Sequence, residues 1–251
     1  MRRFLALLAC ALALHAGAAQ AEPQQRTFKV RLGAGVEERA ALVCVPQGSG
    51  PHPAVIFNHG GIVDGWGWPA AAQRGYRLDL VCEKLAAEGY LAFVPIREAI
   101  PRGKGFMSYE DAYRLIVLQA IEHVMALPEV DRTRVALAGF SMGGLASFLA
   151  AVGHKELRAV ALLAPAYGYG LLGKAARDIA RVEAPLLVMV EQSDSRPIHN
   201  GVAALEAAAR EAGKTIRLVR YDRGGGHRLF YSVGYWWEDF AGFLRESLGR
   251  P

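Results

Sequence analysis

The sequence predicts an α/β protein, a mainly parallel sheet of about eight strands with helices on both faces. Two observations carry this. Short apolar runs of strand length alternate with longer segments of helical period over most of the chain. One of these runs, Arg134 to Ala138, passes through Gly139-Phe140-Ser141-Met142-Gly143 straight into the apolar segment Leu145 to Ala151. A buried strand, a sharp turn and a buried helix therefore follow one another within a few residues. Repeated strand and helix alternation demands right-handed crossovers, which give a parallel sheet whose ligands sit at the carboxyl ends of the strands.

The chain starts with Met1-Arg2-Arg3, an apolar stretch from Phe4 to Leu14 and small residues ending Ala19-Gln20-Ala21. This has the three-part form of a secretory signal peptide, and its apolar run is too short to span a bilayer. The expectation is a signal over residues 1–21, a single domain over residues 22–251, and an exported protein, periplasmic or secreted, with no stable membrane insertion after cleavage. Leu7-Leu8-Ala9-Cys10 resembles a lipoprotein box only faintly, because the apolar stretch continues past Cys10.

Thr27 to Leu32 and Ala40 to Val45 read as two strands forming an antiparallel edge. Ala54 to Asn58 is a third strand, Leu78 to Glu88 a helix ended by Gly89, and Leu91 to Val94 a fourth strand. Tyr109 to Leu127 has helical spacing and stops at Pro128. Beyond the serine turn, Ala159 to Leu163, Leu186 to Val190 and Ile216 to Arg220 are strands. Gly201 to Ala212 is a helix closed by Gly213, and Tyr235 to Leu248 is an amphipathic terminal helix.

The 251 residues are 52% hydrophobic and carry a net charge of +5, which suits one globular domain with a sizeable core. Basic residues are scattered, without a run of five and without interleaved aromatics, so no nucleic-acid partner is expected. No HExxH or paired-cysteine spacing marks a metal site, and no cofactor is required. Gly224 to Gly226 lacks the lysine and hydroxyl residue of a phosphate loop. Cys44 and Cys82 would share an oxidising compartment after export. The favoured reading is two buried thiols, one on a strand and one on a helix, with a disulfide as the alternative.

Ser141 stands at a strand end between glycines that let backbones pack closely and leave its hydroxyl exposed above the sheet. A serine hydroxyl is a weak nucleophile, so it needs a base and a group that orients the base. Of seven histidines, only His227 follows the last strand in a glycine-rich loop from which an imidazole reaches over the sheet. Asp194, just past the strand Leu186 to Val190, matches the orienting carboxylate, with Glu191 as runner-up and better suited to an outer role. The amide of Met142 opens the following helix and can donate to an oxyanion. A second amide is expected from Asn58-His59-Gly60-Gly61-Ile62, Gly61 first and Ile62 second. His59 reads as a brace of that turn rather than as a base.

Asn58-His59-Gly60-Gly61, Gly139-Phe140-Ser141-Met142-Gly143-Gly144, Asp194 and Gly226-His227, in that order, resemble the α/β-hydrolase superfamily. The small size and the Gly-Phe-Ser-Met-Gly-Gly turn are similar to its dienelactone hydrolase-like branch, which implies an α/β-hydrolase fold with no large lid. That resemblance implies a hydrolase of small-molecule esters using Ser141, His227 and Asp194 through an acyl-enzyme. It departs at the nucleophile, which is cysteine in true dienelactone hydrolases, so Ser141 implies an ester or related acyl hydrolase in place of the lactone enzyme. A serine peptidase or acyltransferase on the same residues, or a silent ligand-binding fold, are the alternatives.

Ile62 to Tyr76 reads as a long loop after the oxyanion turn, and its Trp66, Trp68 and Tyr76 are expected either to line an acyl or aryl pocket or to pack the loop onto the body. Arg97, with Arg102 and Lys104 nearby and Arg223 and Arg228 around His227, is a candidate for attracting an anionic substrate, scattered solvated arginines being the commoner reading.

Overall fold

In a computed structural model, which describes residues 22–97 and 109–249, one eight-stranded sheet organises the chain. The expected signal segment, Arg102 and Lys104 lie outside the described residues. Strands β1 (Gln24–Leu32) and β2 (Gly35–Cys44) pair antiparallel at one edge, as expected. β2 in turn pairs antiparallel with β4 (Leu91–Pro95). The rest is parallel: β3 (His52–Asn58), β5 (Val130–Phe140), β6 (Ala159–Leu163), β7 (Leu186–Glu191) and β8 (Arg217–Tyr221), giving the order β1-β2-β4-β3-β5-β6-β7-β8. β4, β6 and β7 are buried along their whole length, which is why they read as unbroken apolar runs rather than as alternating patterns.

Helices α4 (Tyr109–Met125), α5 (Met142–Ala151), α6 (Leu171–Ala176) and α7 (Arg196–Glu211) pack each on the next in one layer. α3 (Leu78–Ala87) and α8 (Trp237–Leu248) are tied together by Glu88, at the end of α3, which takes the Trp237 indole N–H at 3.3 Å and Arg245 at 3.2 Å. Two short helices, α1 (Gly61–Trp66) and α2 (Trp68–Gln73), occupy the segment expected to be a loop. Pro69 in the first turn of α2 is pre-set for that place, since its missing N–H would have no partner there. α6 also went unread, and α7 starts five residues before the expected Gly201, with Pro197 in its first turn.

Cys44 and Cys82 correct the favoured sequence reading. Cys44 at the end of β2 and Cys82 in α3 form a disulfide, with Cα atoms 5.6 Å apart and 38 positions between them in sequence. Both are wholly buried, so the bridge fastens the α3 layer to the antiparallel edge from inside the core.

Candidate active site

Ser141 lies between β5 and α5 with φ 53° and ψ −118°, a backbone conformation that L-residues rarely adopt. Three backbone hydrogen bonds hold it there. Its N–H donates to Leu163 O at 2.9 Å, and its carbonyl accepts from Leu145 N at 3.0 Å and Ala166 N at 2.9 Å. Such strain persists only where the surroundings over-determine it. The glycines supply the room: a methyl on Gly139 would overlap the Gly143 carbonyl, and one on Gly143 would overlap the carbonyl oxygens of Asn58 and His59. Beneath the turn, the Asn58 amide donates to Ser147 Oγ at 2.9 Å and to Ala138 O at 3.3 Å, tying β3 to α5.

His227 sits in a short 3-10 turn, Gly226–Tyr231, after β8. Its Nε2 is 2.8 Å from Ser141 Oγ and its Nδ1 is 2.8 Å from Asp194 Oδ2. With Asp194 ionised, Nδ1 carries the hydrogen and Nε2 offers its lone pair to the serine hydroxyl. The Asp194 side chain is buried and its other oxygen accepts the Ser195 amide at 2.6 Å. The imidazole is one-third exposed and its ring packs on Phe140 at 4.7 Å between centroids. The structure thus brings Ser141, His227 and Asp194 into one hydrogen-bonded line at the carboxyl ends of β5, β7 and β8.

Glu191 holds the loop that carries His227. It is 1% exposed, and its carboxylate accepts the amides of Ser193 at 2.7 Å, Gly224 at 3.0 Å and Gly226 at 3.2 Å, together with the Ser193 hydroxyl. These donors, the Ser193 hydroxyl foremost, hold its carboxyl below the ordinary range. Because the folded pKa is depressed, the stabilisation is present above the unfolded value near 4.5 and is lost as pH falls through the folded pKa. Glu191→Gln turns an amide N–H₂ toward a cluster of donors, so it should cost about 1–3 kcal/mol of stability. The variant should also lose that acid-side dependence and lower kcat by loosening the His227 loop. Thermal melts between pH 3 and 7 check this, and an unchanged acid limb would refute the assignment.

The turn from β3 into α1 faces Ser141. A methyl on Gly60 would come within 2.8 Å of the Phe140 ring and 3.5 Å of Ser141 Cβ, and one on Gly61 within 3.3 Å of Met142 Cγ. The N-termini of α1 and α5 therefore converge on the serine. The amides of Gly61 and Met142 have no hydrogen-bond acceptor among the described residues, which leaves them available to a developing oxyanion. His59 is fully buried, and burial, with Arg97 adding to it, holds its pKa well below 6.5; its two ring nitrogens are committed to the Arg97 amide and Gly60 O, so neither faces Ser141 as a base.

The expected substrate contacts fare differently. Arg97 is fully buried, with its guanidinium turned to the His59 carbonyl and to Asp64, so it offers no charge to a substrate at the surface. It is corrected to an interior residue, because Asp64 on α1 supplies a counter-charge that the sequence did not reveal. Trp68 and Arg97 line a cavity of about 470 Å³ with Leu42, Val63 and Ile96, to which neither Ser141 nor His227 contributes. Trp66 is 61% exposed and carries the Arg74 guanidinium 4.0 Å above its ring. Arg74 O in turn lies 3.5 Å from the Arg228 guanidinium, which connects Trp66 to the residue beside His227. Tyr76 is buried, and its hydroxyl accepts the Gly60 amide at 2.9 Å. Neither Tyr76 nor Asp64 was singled out for the role it holds here, since both depend on contacts distant in sequence.

A mostly parallel eight-stranded sheet with a strained serine turn between its central strand and the next helix defines an α/β-hydrolase. Residues 40–231 match the model of the dienelactone hydrolase family, and the chain belongs to that family. Among solved structures it is similar to the acylaminoacyl peptidase of Pyrococcus horikoshii, with 16% identity, a TM-score of 0.65, and coverage of 92% of this chain and 43% of that one. A puromycin-hydrolyzing peptidase from Mycobacterium tuberculosis gives 15% identity and a TM-score of 0.70, covering 93% of this chain and 40% of that one. A candidate dienelactone hydrolase from Klebsiella pneumoniae gives 19% identity and a TM-score of 0.60, covering 89% of this chain and 99% of that one. The chain spans about two fifths of the length of the two peptidases, and at these identities the likeness is one of fold. No curated protein matches it.

Proposed function

We propose that this protein is an exported, serine-dependent hydrolase that cleaves a carboxylic ester through an acyl-enzyme. The observation that carries the reading is the line of two 2.8 Å contacts from Ser141 Oγ through His227 to Asp194. In this reading Ser141 Oγ attacks the acyl carbon as its proton passes to His227 Nε2, and Asp194 stabilises the imidazolium. The carbonyl oxygen takes up negative charge facing the Gly61 and Met142 amides. Collapse breaks the ester C–O bond, and the leaving alkoxide takes the proton from Nε2. Water, deprotonated by the same nitrogen, then attacks the acyl-serine, and the acid departs as Ser141 regains its proton. Trp66, with Arg74 and Arg228 beside it, is the side of the mouth proposed to meet the substrate. Export is supported by the signal-like first 21 residues and is consistent with the Cys44–Cys82 bridge.

A fluorophosphonate probe tests the nucleophile, and a panel of aryl and alkyl esters, amides and lactones tests the reaction. Labelling confined to Ser141, with esters turned over faster than matched amides, is the expected result. Absence of labelling removes the hydrolase reading, while turnover of amides in preference to esters replaces it with a peptidase.

A further inference from the structure

The interior ion pair behind the oxyanion turn has no part in the mechanism above; one side of it packs on Tyr113 of α4, and its remaining polar contacts among the described residues lead to that turn. The Arg97 amide donates to His59 Nε2 at 2.8 Å, which leaves the imidazole hydrogen on Nδ1, where it donates to Gly60 O at 3.0 Å. The Arg97 guanidinium donates to the His59 carbonyl and reaches Asp64 Oδ2 at 3.4 Å. From the opposite side the Tyr76 hydroxyl takes the Gly60 amide, and Gly60 O also accepts from Val63 N at 3.2 Å. Thus the His59 carbonyl and ring and both backbone groups of Gly60 are committed, while the Gly61 amide donates to nothing among the described residues. The orientation of the peptide that bears the Gly61 N–H is fixed by what holds Gly60 and His59.

A buried ion pair contributes little net stability, because desolvating two charges offsets their attraction. Apolar side chains of similar volume would serve the core as well. Arg97 and Asp64 are both buried, 33 positions apart, and Asp64 projects from the helix whose first residue is Gly61. The pair therefore links the carbonyl before the turn to the helix after it.

We propose that Arg97, held by Asp64, is a positioning residue that fixes the turn from His59 to Gly61 and so aims the Gly61 amide at the oxygen of the reacting carbonyl. This rests on the ester-hydrolase reading above. Arg97 touches no substrate; it acts through the turn.

The test compares an ester with its thionoester, in which the developing anion sits on sulfur and gains much less from aimed N–H donors. Arg97→Lys keeps the charge and loses the planar fork, and Asp64→Asn keeps the shape and loses the charge. Removing one oxyanion donor outright costs roughly 100- to 1000-fold in kcat, so misaiming it should cost about 10- to 100-fold. For both variants the expected result is that loss in ester kcat with KM within about twofold, while thionoester turnover falls less than about threefold. The ester-to-thionoester ratio then collapses by about tenfold or more. A merely structural role would lower both substrates together, and an unchanged ratio in the variants overturns the proposal. A wild-type ratio near one does the same. If Arg97→Lys does not fold, the isosteric Asp64→Asn reads the same ratio. Failure of wild type to cleave any ester is a different result, which removes the hydrolase reading itself.

Discussion

Ser141→Ala is expected to lower kcat for ester hydrolysis by about 10⁴- to 10⁶-fold, and His227→Ala by nearly as much, with the double variant no slower than the worse single one. The reason is that Oγ and Nε2, 2.8 Å apart, act as one unit. Without the imidazole the hydroxyl proton has no acceptor, and without the hydroxyl the imidazole has nothing to activate. Turnover remaining after either change would come from amides that still face the oxyanion and from substrate binding. Asp194→Asn should be less severe, because it leaves base and nucleophile in place and disturbs chiefly the tautomer of His227. Steady-state kinetics of the four variants on one activated ester decide the matter. Losses that multiply in the double variant would show that Ser141 and His227 act independently and would break the proposed mechanism.

Removing the Cys44–Cys82 bridge should destabilise the protein by about 4 kcal/mol, taking the loop-closure entropy for the 38 positions it spans. For a domain of this size that corresponds to a fall in Tm of roughly 8–16 °C. The Cys44→Ala, Cys82→Ala double variant is the cleanest form of the experiment, since both sulfurs are buried and a reductant reaches them only on opening. Both side chains lie within the core, so loss of packing adds to the entropic effect. Alkylation followed by intact-mass measurement, with and without reductant, reports whether the bridge exists in the purified protein. Identical labelling under both conditions, together with an unchanged Tm in the variant, would refute it.

Most of the sheet was legible because buried parallel strands need apolar residues on both faces, and β3, β4, β6 and β7 accordingly announce themselves as short apolar blocks. Ser141, His227 and Asp194 were legible because strand ends are the only places from which such side chains meet above the sheet. The sequence was silent where the answer lay in a contact between distant segments. α1 and α2 are six residues each and rich in glycine, tryptophan and alanine, too short for a helical period to show. Arg97 looked like a surface cation because nothing local told of Asp64, which α1 carries to it. Glu191 was placed behind Asp194 as a candidate acid, yet its work in binding the 224–226 amides depends on a loop 33 and 35 positions further on. The cysteines gave composition and compartment but not the 5.6 Å between their Cα atoms.

The serine and its base are 86 positions apart, base and acid 33, and all three hang from different strands of one continuous sheet. No fragment that lacks the last strand and the turn after it possesses a reaction centre, however much of the remainder has folded. On the proposed mechanism, a chain is therefore inert until β8 pairs with β7 and the Gly226–Tyr231 turn packs on Phe140. Recovery of turnover after dilution from denaturant consequently reports assembly of all three strand ends, while far-ultraviolet circular dichroism reports formation of helices and strands. A lag of the first signal behind the second would reveal a structured but chemically silent intermediate, and coincidence of the two would show that sheet and site form in one step.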